Sequence, residues 1–490
     1  MKKFLLFLIL GGSAEAVCAQ GATEGLLFSQ NHYEGTARFT AMGGAFAALG
    51  GDITTLSINP AGLGVYRGYE LTISPVLSTN RSEANYLNKT VNDSYTQFFF
   101  NNVGIIFGSA RDRNETVTFN WGIGYNRLNN TLSRTSVQGT TDRTSFLTSI
   151  ADGFTGRSKE DLKDNIFCES HLIDPWGTDS YIAATETIDA NNNPVVAGNL
   201  NQKYSKEHWS RVGETVFSMG GNVLDKFYFG VTIGLQTMRD NFSTRYSESA
   251  VNSADFDVIL SNSTRFQSFA YQSALKTKGT GYNIKLGVIW RPIAGLRWGA
   301  YFHTPTWLYL TDEYSEDITS LFENGASHSY SSSGEMEYKL ITPKKWGMGL
   351  AYTFGEVALI SVDYESIDYR TITMYGAEGS YYEKWEDVSE EATANFRLTN
   401  NIRVGVEYRI NQIALRGGYA FYEKPEKGNR NDNRSIISAG IGYRRQSFFI
   451  DGTYAFSPSN TTQQSFYNGG FDAATDYFAQ KFVLTLGFVF

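Results

Sequence analysis

Lys481-Phe482-Val483-Leu484-Thr485-Leu486-Gly487-Phe488-Val489-Phe490 is the stretch whose reading decides the fold. Side chains alternate across a β-strand with a period of two. Phe482, Leu484, Leu486, Phe488 and Phe490 therefore share one face, and Val483, Thr485, Gly487 and Val489 share the other. The first face is large and wholly apolar, and the second is small or mildly polar.

The same alternation recurs upstream. In residues 402–410, Ile402, Val404, Val406, Tyr408 and Ile410 oppose Arg403, Gly405, Glu407 and Arg409. Residues 227–236 and 346–354 repeat it, as do 284–291, 296–303 and 437–444. Strands of a soluble sandwich are typically about 5–6 residues long and polar on the outside. These runs are nearer the roughly 9–11 residues that a tilted strand needs to cross a bilayer. On the second face Gly and Ala alternate with charges, which suits a wet or plugged lumen. A strand of this kind closing on Phe also resembles the end signal of bacterial outer-membrane barrels. The pattern predicts an all-β chain, a transmembrane antiparallel β-barrel of 14 strands. They start near Tyr69, Gln97, Glu115, Glu214, Phe227, Arg265, Leu296, Ser332, Val357, Glu391, Ile413, Arg434, Ser447 and Phe478. Short connections near residues 110–114, 224–226, 292–295, 355–356, 411–412 and 445–446 alternate with long ones, the longest at about 131–213. Short periplasmic turns and long external loops are the rule for such barrels.

Composition agrees. The 490 residues include 34 Phe, 30 Tyr and 48 Gly but only 9 Pro. Aromatics suit half-buried pleated surfaces, and scarce proline leaves hydrogen-bond ladders intact. A mean hydropathy of −0.29 excludes a bundle of membrane helices. The net charge of −8 argues against a nucleic-acid binder. Met1-Lys2-Lys3, the apolar run 4–10 and Val17-Cys18-Ala19 read as a signal peptide, residues 1–19, cleaved before Gln20. Glu15 stands where a lipobox needs an aliphatic residue, which disfavours lipidation of Cys18. Cleavage leaves Cys168 as the one cysteine, so no internal disulfide staples the fold.

Residues 20–66 precede the first strand, and 67–490 form the barrel. The first segment carries Met42-Gly43-Gly44-Ala45-Phe46 and then Asn59, Pro60, Ala61, Gly62 and Leu63. Pro60 holds Asn59 out of the helical region and presets a turn, and Gly62 allows a tight exit. This arrangement resembles the N-terminal hatch of the FadL/TodX family of outer-membrane transporters for hydrophobic compounds. Trp290-Arg291-Pro292 through Gly299, Thr304-Pro305, Thr342-Pro343 and Leu415-Arg416-Gly417-Gly418-Tyr419 fit the same family. Ser57-Ile58 departs from the aromatics common there, and the long loop shows no match. The resemblance implies a hatch plugging the lumen, with ligand arriving from outside and leaving sideways or past a shifted hatch.

Catalytic chemistry is not signalled. The five histidines lack metal-ligand spacing. Residues 189–194 begin like a calcium loop, but Pro194 replaces the required Gly and no Glu follows where it is needed. No nucleophile elbow, phosphate loop or dinucleotide fingerprint is present. No enzyme, metal or cofactor is therefore expected. Arg403, Glu407, Arg409 and Arg416 face the lumen by parity, with Lys285, Asp363 and Asp451. They either steer a ligand head group or, more commonly, pair with one another and with the hatch. Phe146, Ile150 and Phe154, at helical spacing in the long loop, form either the loop's own core or a ligand groove. The reading is passive uptake of hydrophobic small molecules, fatty-acid-like or aromatic, through an integral protein of the bacterial outer membrane surrounded by its lipid. The alternative is a structural subunit that holds other outer-membrane proteins in a secretion or assembly complex.

Overall fold

A computed structural model describes residues 21–109, 116–256, 264–378, 381–428 and 433–490. The signal peptide and the turn at 110–114 lie outside these residues. The chain forms a closed barrel of 14 antiparallel strands. They are β1 (Tyr69–Tyr86), β2 (Lys89–Phe107), β3 (Val117–Thr141), β4 (Leu200–Val223), β5 (Phe227–Ala250) and β6 (Phe266–Trp290). Next come β7 (Leu296–His303 and Trp307–Phe322), β8 (Ser327–Ile341 and Lys345–Phe354) and β9 (Ala358–Asp368 and Thr373–Glu378). The last are β10 (Leu398–Ile410), β11 (Ile413–Tyr422), β12 (Arg434–Arg444), β13 (Phe448–Ser465) and β14 (Asp472–Val489). Pairing of β1 with β14, from Glu70↔Val489 to Asn85↔Ala474, closes the circle.

The breaks in β7 and β8 have one cause. Pro305 and Pro343 cannot donate to a ladder. The two interruptions lie side by side, and the backbone crosses between them through Thr306 N to Thr342 Oγ1 (2.9 Å) and Thr342 N to Thr306 O (3.1 Å).

The faces fall as parity predicts. Phe482, Phe488 and Phe490 are 50%, 46% and 76% exposed, whereas Val483 and Thr485 are fully buried. A belt of exposed Phe, Leu, Ile, Val, Trp and Tyr runs round the outside, with Phe217, Ile233, Leu286, Leu350, Val406 and Ile450 among them. Only lipid solvates such a surface cheaply. An Arg at Val404 is expected to destabilise the barrel by about 2–4 kcal/mol near the midplane. The same change at exposed Asn324 should cost almost nothing. Urea unfolding midpoints in lipid vesicles measure both, and equal costs would refute the face assignment.

Several strands outrun the bilayer. β3 and β6 have 25 residues and β4 and β5 have 24, all on the side of the long connections. Alternation marks each strand only as far as its apolar face runs. It therefore starts β2 at Gln97, β4 at Glu214 and β14 at Phe478, although the ladders begin at Lys89, Leu200 and Asp472. The long loop shrinks accordingly from 131–213 to 142–199, because residues 131–141 and 200–213 pair with each other. Outside the membrane both faces meet water or protein, so alternation no longer marks a strand. Glu391 is not a strand start; it lies in the helix Glu386–Asn395, which covers the outer end of the lumen.

Candidate transport site

Residues 21–66 run down the lumen from the loop end to the turn end. At the top the helix Ala22–Ser29 meets Glu386–Asn395, where Ala22 N donates to Glu391 Oε2 at 3.1 Å. At the bottom Asn120 Nδ2 donates to Leu63 O (2.8 Å) and Tyr66 O (3.0 Å). So few large apolar side chains cannot make a core alone. The segment borrows the wall, with Phe39, Met42 and Phe46 packed among residues that include Tyr301, Ala351 and Leu359.

Most of the seat is polar. Wall hydroxyls, amides and a carboxylate satisfy plug backbone: Thr485 Oγ1 accepts from Ala37 N (2.7 Å), Thr453 Oγ1 donates to Ala37 O (2.6 Å), and Asp363 Oδ2 accepts from Ala47 N (2.8 Å). Asn59 is a hub. Its Nδ2 donates to Ala47 O (2.6 Å) and to Val288 O of β6 (3.2 Å), while its Oδ1 accepts from Ala61 N (3.1 Å) and caps the turn Pro60–Val65. His303 Nε2 lies 2.7 Å from Ile58 O. That contact requires a proton on Nε2 and leaves Nδ1 to accept from Tyr33 OH at 3.4 Å.

Wall glycines make the seat. A Cβ on Gly287 would lie 1.9 Å from Asn59 Oδ1, and one on Gly230 would lie 2.3 Å from Pro60 O. Gly43 has φ +62° and lies against the Tyr419 backbone, so the Met-Gly-Gly turn can approach β11 only as glycine. Gly287→Val is expected to dislodge the turn at residues 59–63 and raise ion leakage through the barrel. Gly417→Ala, whose nearest neighbour would be 3.7 Å away, should not. Planar-bilayer conductance measures both, and an equally silent Gly287→Val barrel would show that this contact does not hold the plug.

The predicted lumen charges are where parity put them, but they serve one another. Glu407 accepts Arg38 Nε (3.0 Å), Arg416 Nε (2.7 Å) and Arg409 Nη2 (2.6 Å), and Arg416 also reaches Asp451 (2.6 Å). Arg403 is fully buried and pairs with Glu365 at 2.9 Å. The plug's own acid, Asp52, is satisfied without them. Its carboxylate accepts from Thr36 Oγ1 (2.6 Å) and Thr54 N (3.0 Å) within the plug itself. Both donors belong to the plug's own fold, one the Thr36 hydroxyl sixteen residues away and the other the Thr54 backbone N–H.

Phe146, Ile150 and Phe154 lie on the helix Phe146–Phe154, capped by Ser145. All three are buried in an aromatic core with Tyr246, Phe269 and Tyr271, so they hold the outer cap together rather than line an open groove. Cys168 belongs to the same cap. Burial, with Asp174 and Glu169 nearby, pushes its thiol up to about 12, so it stays a protonated, unreactive thiol at neutral pH.

An open space lies elsewhere, on the β1, β3, β12, β13 and β14 side of the lumen. β2 and β3 pair only from Asn102↔Asn126 to Phe107↔Trp121. Above that level β3 leaves β2 and swings across the inner face of β1, where Ser82 Oγ donates to Arg134 O (2.6 Å) and Asn80 Nδ2 to Leu132 O. A β-bulge after Arg127 accompanies the change of course. The wall is thus parted beside Phe99, whose ring lies 5.1 Å from the Arg127 guanidinium. Between the β3 arch, the plug and the wall is a cavity of about 340 Å³. Phe99, Leu132, Ile436 and Ala455 supply apolar walls, and Glu34, Arg434 and Lys481 supply charge. Lys481 is held by Glu34 at 2.5 Å.

None of the residues proposed from sequence as site residues lines this cavity. Lys481 and Arg434 were legible in the sequence, since they share inward parity with Val483 and Ser438 beyond the belt. Phe99 and the β3 arch were not, because nothing local announces that two neighbouring strands part.

A lipid-belted barrel with an internal plug and a luminal cavity defines an outer-membrane transport protein. Residues 217–488 match the profile of the outer membrane protein transport family (OMPP1/FadL/TodX), and the chain belongs to it. It is thus an integral outer-membrane protein of a transport family, not of an enzyme family. No curated protein matches the chain. Solved structures that share its fold include the following three. A FadL homologue of Pseudomonas aeruginosa aligns with a TM-score of 0.58 at 12% identity, over 93% of this chain and 98% of that one. The P. putida toluene transporter TodX gives 0.54 at 12%, over 93% and 98%. The Ralstonia pickettii toluene transporter TbuX gives 0.50 at 14%, over the same shares.

Proposed function

We propose that this protein is a passive channel for hydrophobic small molecules, in particular those carrying an anionic head. The observation that carries the reading is the cavity of about 340 Å³, within the range of small-ligand sites, with its apolar walls and convergent cations. Ligand arrives at the loop end, lodges with its apolar body against Phe99 and Ile436, and places its anion at Arg434 and Lys481. It leaves through the parted wall between β2 and β3, where Phe98 and Phe100 already face lipid, or past a shifted plug. The polar seat favours such a shift, because each hydrogen bond lost to water costs only about 1 kcal/mol net. The toluene transporters that share the fold support an aromatic body. No observation here favours the complex-subunit alternative.

Uptake into cells expressing the protein tests this, with toluene and a medium-chain carboxylate as probes. Hydrogen bonds to charged groups contribute about 1.5–3 kcal/mol. Arg434→Met with Lys481→Met is therefore expected to weaken carboxylate uptake tenfold or more while leaving toluene uptake nearly unchanged. Uptake of neither probe above the rate of cells lacking the protein would overturn the proposal.

A further inference from the structure

The outer face of the barrel is unevenly charged just above the apolar belt. On β4, β5 and β6 the outward residues climb from Phe217, Ile233 and Ile284 through Leu235 and Tyr282 to Arg211, Arg239 and Lys278. These three cations are direct cross-strand partners: Arg211↔Arg239 and Arg239↔Lys278. Adjacent strands lie about 4.8 Å apart, and like charges placed directly opposite one another destabilise a sheet. All three side chains are exposed. Among the described residues neither Arg211 nor Arg239 has a carboxylate within ion-pairing distance, while Lys278 reaches Glu313 (2.7 Å) in a pair open to water on both sides. Such a surface pair contributes little. Lys276 adds a further exposed cation one step higher, and the Arg211 guanidinium lies over Trp209, 4.9 Å from the ring centroid. On the outer faces of β7 and β8 the same height carries Glu313, Glu335 and Glu337 instead. A continuous cross-strand row of three cations is thus seen on β4, β5 and β6.

Their height identifies the occupant. Tyr282, 47% exposed, and its cross-strand neighbour Trp307 mark the upper edge of the belt. Arg211, Arg239 and Lys278 share one rung two pleats beyond Tyr282, the side on which head groups lie above an aromatic belt. We propose that the row Arg211, Arg239 and Lys278 is a binding site for the phosphorylated head group of an outer-leaflet glycolipid. A phosphate set between Arg211 and Arg239 accepts from both guanidinium forks, a geometry that suits arginine better than lysine, and it removes the repulsion along the row. The acyl chains then run down the belt over Leu235, Tyr282 and Leu286. This site lies outside the barrel and is independent of the luminal cavity.

Native mass spectrometry of the mature protein in detergent tests it, with phosphorylated lipid A, the same lipid dephosphorylated, and inorganic phosphate as probes. Each basic side chain near a membrane surface strengthens binding of anionic lipid roughly fivefold. The triple variant Arg211→Gln, Arg239→Gln, Lys278→Gln is therefore expected to bind phosphorylated lipid A about a hundredfold more weakly than the unaltered protein. Its heat-shifted electrophoretic mobility should still report a folded barrel. A control triple in the outer cap, Arg143→Gln, Lys159→Gln, Lys163→Gln, should bind like the unaltered protein. Equal binding by the row variant, equal binding of the dephosphorylated lipid, or equal weakening by the control would overturn the proposal. Displacement of the lipid by inorganic phosphate at matched concentration would also overturn it, by showing a free-anion site.

Discussion

Deleting residues 23–62 is expected to leave a folded, heat-resistant barrel that carries large ion currents in planar bilayers, while the intact protein stays nearly closed. Two arguments support the result. Eight-stranded barrels are filled by their own side chains, whereas those of 16–18 strands enclose water, so 14 strands without a plug leave an open lumen. The wall also balances its own charges. Glu407 keeps Arg409 and Arg416, Arg416 keeps Asp451, Glu365 keeps Arg403 and Glu214 keeps Lys285, all without the plug. Among the described residues, only Arg38 with Glu407 and Lys481 with Glu34 cross from plug to wall as ion pairs. Removing the plug therefore strands few charges, and water entering the lumen solvates those. A deletion protein that folds and stays electrically silent would show that the segment is no plug. Failure to fold would make the segment part of the barrel's core and weaken the transport reading.

Glu365→Ala is expected to cost about 3–5 kcal/mol, because it leaves the Arg403 cation buried without its partner. Glu365 Oε1 meets Arg403 Nη2 at 2.9 Å and Asn401 Nδ2 at 3.1 Å, and Oε2 accepts from Tyr301 OH at 2.9 Å. The side chains of Arg403 and Glu365 are 1% and 0% exposed. Asp363, across the ladder from Arg403, already serves Ala47 N and cannot take over fully. Removing both charges is a different matter. The pair Glu365→Met with Arg403→Met should recover most of the loss, since two apolar groups of similar volume desolvate without penalty. Urea midpoints of the single and double variants in vesicles decide it. A single variant within about 1 kcal/mol of the unaltered protein would mean that water reaches Arg403 and that the pair is not a dry one.

The sequence alone determined the class of fold, the side each strand residue takes and the place of the plug. Period-two alternation is a local property, and at bilayer height lipid enforces it on every strand, so residues 402–410 and 481–490 declare their faces without help from neighbours. Asn59-Pro60-Ala61-Gly62 likewise writes its turn in its own residues, through the fixed φ of Pro60 and the cap by Asn59 Oδ1. Above the membrane that constraint lapses, and the ladders at 89–96 and 200–213 were invisible because their two faces no longer meet different solvents.

Partners were likewise undecidable from the chain alone. Parity placed Arg403 and Arg409 in the lumen, yet whether they met Asp52, Glu365 or Glu407 depended on the stagger between strands, which no strand carries in itself. The cavity needed tertiary structure altogether. It exists because β3 parts from β2 and crosses β1, bringing Phe99, Leu132, Arg434 and Lys481 together from four strands. A void is set by how whole strands diverge, and each of those residues, read in its own strand, is an ordinary one.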